Sequence, residues 1–122
     1  MRLHGAGKLL RIFLGEADKV DHHALHHVIV RTARDRGLAG ATVFRGIEGF
    51  GANSRSIHTA RIMRLSEDLP IVIEIVDTGE KIQEFLAVVD DLLERAKCGA
   101  MLTLEDVEVL HYGVAHVPQR KS

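Results

Sequence analysis

A single cysteine, Cys98, no tryptophan and only two prolines stand in this sequence, and aromatic residues make up 4% of it. One cysteine excludes an intrachain disulfide and any metal knuckle built from several cysteines. Scarce aromatics leave few platforms for stacking unpaired bases, and a formal net charge of −1 gives no general attraction for phosphate backbones, so nucleic-acid binding is not expected. No apolar run approaches the roughly 20 residues that a spanning helix needs, and no basic start leads into an apolar export segment. Membrane insertion is therefore not expected, and the cytoplasm is the expected location. Against disorder stand 46% apolar residues beside 27% charged ones. The 122 residues suffice for one domain able to bury about two thirds of its surface.

The near-zero net charge hides an asymmetry. Residues 1–64 carry 11 Lys/Arg against 5 Asp/Glu, whereas residues 65–122 carry 5 against 12. If the two halves show these charges on different faces, identical copies can meet through complementary surfaces.

Hydrophobic spacing sets the order of elements. Leu9 to Leu14 alternates as a strand, with Leu10, Ile12 and Leu14 on one face and Leu9, Arg11 and Phe13 on the other. A helix is expected from Asp21, a candidate N-cap, with Leu25, Val28, Ile29 and Thr32 at helical spacing until Arg36 and Gly37 close it. Residues 41–47, ATVFRGI, read as a strand. Residues 48–69 hold no long element; EGFGANSRS has loop composition, and Ile62 to Leu65 allow only a short extension. Pro70 opens the strand IVIEIV, apolar on both faces. Asp77 and Glu80 read as an acidic capping pair before a helical stripe of Ile82, Phe85, Leu86, Val89, Leu92 and Leu93. In the last strand region the apolar parity shifts at Glu105 and Asp106, which predicts a bulge or bend.

Two right-handed βαβ units in one antiparallel sheet satisfy this order: an α+β, ferredoxin-like βαββαβ sandwich with both helices on one face. The expected limits are a flexible start over 1–7, the domain over 8–113 and a tail over 114–122. Phe13, Phe44, Val72 and Val76 then lie on a sheet face that no helix covers, which points to a closed homo-oligomer.

The stretches GLAGATVFRGIEGFG (37–51), IHTARIMRLSEDLPIVIEIVD (57–77) and TLEDVEVLHY (103–112) resemble a bacterial family of uncharacterised PII-like proteins, domain of unknown function 190. The resemblance spans roughly residues 8–113. It implies kinship in fold with the nitrogen-regulatory PII proteins and the CutA proteins, and hence a homotrimer. It also implies a protruding loop over 48–69 that meets a partner protein, a membrane transporter being one candidate. Adenine nucleotide, ATP, ADP or AMP, is the ligand such a fold takes in clefts between subunits. PII proteins hold phosphates with a Gly-rich basic loop after the second helix; this chain has only RAKCGAM (95–101) there, with Arg95 and Lys97.

From the residues themselves, Gly46, Gly49 and Gly51 can let backbone amides face a small anionic ligand, with Arg45 or Arg55 adding charge, although their spacing is not the GxGxxG fingerprint. Arg55, His58, Thr59, Arg61 and Arg64 form a positively biased tract, and the family resemblance adds Ser56. Four histidines, 22, 23, 26 and 27, crowd the expected first helix; His23 and His27, four apart, are the weak metal candidates, and two ligands do not complete a zinc site. Glu67, Asp68, Glu74, His58, Ser56 and Cys98 are chemically able, but no spacing requires them to meet, so no enzymatic activity is expected. Glu74 is expected to pair with a basic residue of a neighbouring subunit, Arg11 or Arg45. The leading expectation is thus a trimeric regulatory protein with an anionic effector; a metal-responsive trimer like CutA and a ligand-free adaptor are the alternatives.

Overall fold

The computed structural model describes residues 3–51, 54–59 and 68–113. Its central strand, β1 (Gly5–Gly15), starts earlier than expected, and Leu3 before it is already buried. Strict alternation in β1 sends Leu10, Ile12 and Leu14 into the core. The short strands β2 (Lys19–Val20) and β3 (His23–Ala24) follow, then helix α1 (Leu25–Asp35) and strand β4 (Ala41–Arg45). After a two-stranded ribbon, β5 (Glu48–Gly51) and β6 (Ser54–Thr59), come β7 (Pro70–Asp77), α2 (Gly79–Ala96) and β8 (Met101–Val109).

The main sheet runs β4-β7-β1-β8, every neighbour antiparallel. The β1–β7 register sets Leu10, Ile12 and Leu14 opposite Ile75, Ile73 and Ile71, so six aliphatic side chains pave one face. Leu25, Ile29 and Ala33 of α1 and Ile82, Phe85, Val89 and Leu92 of α2 pack onto that pavement. This is the ferredoxin-like sandwich, with one face of its sheet left without a helix among the described residues.

Four local expectations change. Asp21 does not cap α1: Asp21 and His22 take left-handed backbone (φ 50° and 70°) in the two-residue turn between β2 and β3. Paired β-strands with their right-handed twist favour such a turn, and Asp and His tolerate it better than most residues. The helix starts four residues later, after Ala24, with no side-chain cap. Asp77 does not cap α2 either. Thr78 does, its Oγ1 accepting from Lys81 N–H at 3.2 Å. Asp77 is instead fully buried, accepting from Ala39 N–H at 2.8 Å and Thr78 N–H at 2.6 Å, and so joins the entry to β4 to the end of β7.

The β1–β8 ladder runs from Gly5↔Val109 to Phe13↔Met101 without a register shift, so the expected bulge at Glu105 and Asp106 is absent. The apolar parity changes along the edge strand β8: Leu102 and Leu104 line a groove with Gln83, Leu86 and Asp90 of α2, whereas Val107 and Val109 lie opposite small Gly7 and Gly5. Finally, EGFG and SRSIHT are strands, with Glu48 opposite Thr59 and Gly49 opposite His58. The expected extension over Ile62 to Leu65 and the tail over 114–122 lie outside the described residues.

Candidate functional site: the end of the sheet where the ribbon leaves

At one end of the sheet β1 and β4 finish while β7 and β8 begin. Arg45, the last residue of β4 and opposite Ile71, stands there with its guanidinium half exposed, Nη2 2.9 Å from Glu16 Oε2. The guanidinium side of this pair is open to water, where such pairs contribute on the order of 1 kcal/mol.

The glycines that follow serve close packing. Gly46 N–H donates to Pro70 O at 2.7 Å, and a Cβ on Gly46 would lie 2.8 Å from Pro70 Cγ. Gly49 is nearly as tight, its Cβ position 3.2 Å from the same atom. The ribbon is therefore seated on the Pro70 ring, and the Gly46 amide, expected to face an anion, is already used. A Cβ on Gly51 would meet nothing among the described residues, and Gly51 pairs with Ser54. Arg55, Ser56, His58 and Thr59 all lie on β6, whereas Arg61 and Arg64 fall outside the described residues.

His26, in the first turn of α1, was one of four clustered histidines in the sequence and turns out to be the distinct one. Its Nδ1 is buried and has no hydrogen-bond partner among the described residues. Burial holds its pKa below the usual 6.5; the Glu16 carboxylate pulls it up, and His27 and Arg45 push it down. No sequence pattern pointed to Glu16 as the group shared by His26 and Arg45. The other histidines scatter: His22 is in the turn and His23 on β3, so His23 and His27 do not share a helix. Among the described residues, no three His, Cys, Asp or Glu side chains gather as a metal site.

Arg95 and Lys97 lie at the same end of the sheet but on its other side, where α2 runs into β8. Arg95 pairs with Asp21 and, at 3.4 Å, with Asp91; the Asp21 charge foremost raises its already high pKa. Lys97 closes α2 in left-handed backbone (φ 54°). Cys98 donates its thiol hydrogen to Asp18 Oδ2 at 3.2 Å, and burial, then this carboxylate, push the thiol up to about 12. Asp68 accepts from Ala17 N–H at 2.9 Å. Arg45 and the Arg95–Lys97 turn flank opposite edges of a four-stranded sheet, about 14 Å apart at the usual strand spacing. One chain alone does not bring them into a single cleft.

The uncovered face carries Phe13 and Phe44, 37% and 51% exposed, beside half-buried Val72 and Val76. At its centre Glu74 pairs with Arg11 of its own chain at 2.9 Å, replacing the expected partner from another subunit. Among the described residues, no helix is long and apolar enough to cross a membrane.

Comparison with known proteins agrees with this architecture. The family model DUF190, "Uncharacterized ACR", matches residues 7–109. A UPF0166 protein of Aquifex aeolicus (strain VF5) is 39% identical over 104 residues, 85% of this chain and 93% of that protein. Another, from Methanocaldococcus jannaschii, is 35% identical over 102 residues, 84% of this chain and 90% of that one. Among solved structures, CPII from Thiomonas intermedia K12, a nitrogen regulatory PII-like protein bound to ADP, AMP and bicarbonate, superposes with a TM-score of 0.65 at 19% identity. The match covers 87% of this chain and 90% of CPII, and at that identity the likeness is one of fold.

Proposed function

The chain belongs to the DUF190 family, and from that premise we propose that it is a PII-like regulatory protein that binds an anionic effector, an adenine nucleotide, in clefts between the subunits of a homotrimer. The observation that carries this reading is the placement of Arg45: a half-exposed guanidinium at the foot of the β5–β6 ribbon, held among the described residues by a pair with the partly buried Glu16. Its counterparts Arg95 and Lys97 sit by the opposite edge at the same end of the sheet. A ring of copies that sets the β4 edge of one beside the β8 edge of the next joins the two groups in one groove.

Two further features support it. The helix-free face presents Phe13, Phe44, Val72 and Val76, a surface suited to burial between copies. The segment of β5 and its approach exposes Ile47 (77%) and Phe50 (53%), apolar side chains that a partner protein can cover. Arg55, Ser56, His58 and Thr59 on β6 belong to the same proposed site. Ligand contact at Arg45 would shift the ribbon between arrangements of different partner affinity.

Sedimentation velocity with titration calorimetry against ATP, ADP and AMP tests the reading. A trimer that binds one of them, with at least tenfold weaker binding in Arg45→Ala, supports it. A stable single subunit overturns it, and a trimer indifferent to all three nucleotides leaves a ligand-free adaptor in its place.

A further inference from the structure

Three consecutive amides fix the turn that leaves β1. Gly15 N–H donates to Asp18 Oδ2 at 2.8 Å, Glu16 N–H to Leu69 O at 2.8 Å and Ala17 N–H to Asp68 Oδ1 at 2.9 Å. The backbone of Glu16 is thus pinned at and on both sides of the residue, and its side chain is 24% exposed. Its partner is placed differently. Arg45 closes β4, an edge strand, and its side chain is 56% exposed, with Nη2 2.9 Å from Glu16 Oε2. A fixed anion therefore meets a cation from the rim of the sheet, across the first residues of β7. Fixing one partner in advance lowers the entropy lost on pairing, so this carboxylate holds the guanidinium more firmly than a mobile surface carboxylate would.

We propose that Glu16 is a built-in occupant of the anion position at Arg45: its carboxylate holds the guanidinium in the unliganded protein, and the effector binds by displacing it. This rests on the reading of Arg45 as an effector contact and adds the regulation of that site. No covalent bond changes; one ion pair is exchanged for another. Apparent affinity for the effector is then lowered in proportion to the fraction of molecules in which Arg45 is free, because only those accept the anion directly. The exchange takes place at the root of the ribbon. Gly46, next in the chain after Arg45, donates its N–H to Pro70 O at 2.7 Å, beside the Leu69 carbonyl that holds Glu16. Adjacent carbonyls at the entry to β7 thus anchor the backbone on both sides of the pair.

Titration calorimetry of ADP against the natural chain and Glu16→Gln tests this. Glutamine keeps the size of the side chain and leaves the three backbone hydrogen bonds of the turn in place. Glu16→Gln is expected to bind ADP roughly fivefold more tightly. Unchanged affinity overturns the proposal, and so does weaker binding, which would make Glu16 a residue that positions Arg45 for the ligand. A second measurement reads the pair without nucleotide: modification by phenylglyoxal, an arginine-selective dicarbonyl, followed by mass spectrometry of the peptide that contains Arg45. The rate at Arg45 should rise several-fold in Glu16→Gln while that at Arg34 stays constant; equal rates at Arg45 overturn the proposal. If ADP binds neither protein, the nucleotide reading fails, and the modification rates alone decide whether Glu16 occupies Arg45.

Discussion

Arg11 and Glu74 face each other across β1 and β7, Nε 2.9 Å from Oε2, and the same guanidinium reaches Glu105 of β8 at 2.6 Å. One cation thus ties three strands together on the face that has no helix. The hydrogen bond to Glu74 is the foremost influence raising the Arg11 pKa. Arg11→Met should leave two carboxylates facing each other over the gap. The expected result is a lower Tm whose deficit shrinks in 1 M salt and is partly restored by adding Glu74→Gln with Glu105→Gln. An unchanged Tm in calorimetric scans would show the triad to be inert.

Asp77 and Thr78 make separable contributions at the start of α2. Thr78→Ala removes one N-cap bond and should destabilise by about 1 kcal/mol. Asp77→Ala strips the bonds to Ala39 and Thr78 from a fully buried position and should destabilise by about 2–4 kcal/mol. Urea unfolding at pH 7 would rank the two, and the reverse order would contradict the buried clamp.

Cys98 should be a poor nucleophile. Its thiol is pushed up to about 12 from 9.0, so at pH 8 the thiolate fraction falls roughly a thousandfold. Reaction with a disulfide reagent should accordingly be far slower than that of an unhindered thiol, and Asp18→Asn should accelerate it by removing the carboxylate that stabilises the S–H. Because the folded pKa lies above the unfolded one, the associated stability is complete below about pH 9 and is lost as pH rises through 12.

His26 carries the opposite pH signature. Its folded pKa lies below 6.5, so the unfolded chain binds more protons in that range. Stability is full above pH 6.5 and declines as pH falls toward the folded value. Urea midpoints measured from pH 7.5 down to 5.5 should fall in the natural chain and stay flatter in His26→Asn.

Much of the fold was legible because its signals are local. The alternation of Leu10, Ile12 and Leu14, the isoleucines of β7 and the stripe from Ile82 to Leu92 each follow from side chains a few residues apart, and they mark the elements that became the core. The misreadings came where local chemistry allows two solutions. Asp21 can cap a helix or occupy a left-handed turn, and pairing of Val20 with His23 selected the turn. The glycine-rich segment after Ile47 has loop composition, yet across from residues 54–59 it forms a ribbon, with Gly49 packed closely on Pro70, where a Cβ would lie 3.2 Å from the ring.

Amino-acid order by itself determined which residues are apolar at strand or helix period, how charge divides between the two halves, and so the ferredoxin-like order of elements. Tertiary structure alone decided that Glu16, His26 and Arg45, drawn from three separate elements, share one electrostatic neighbourhood, and that Glu74 meets Arg11 within a single chain. The physical reason is that periodicity reports which face a residue takes, whereas pairing of distant charges depends on strand register and helix placement, which are set only when the whole sheet closes on its core.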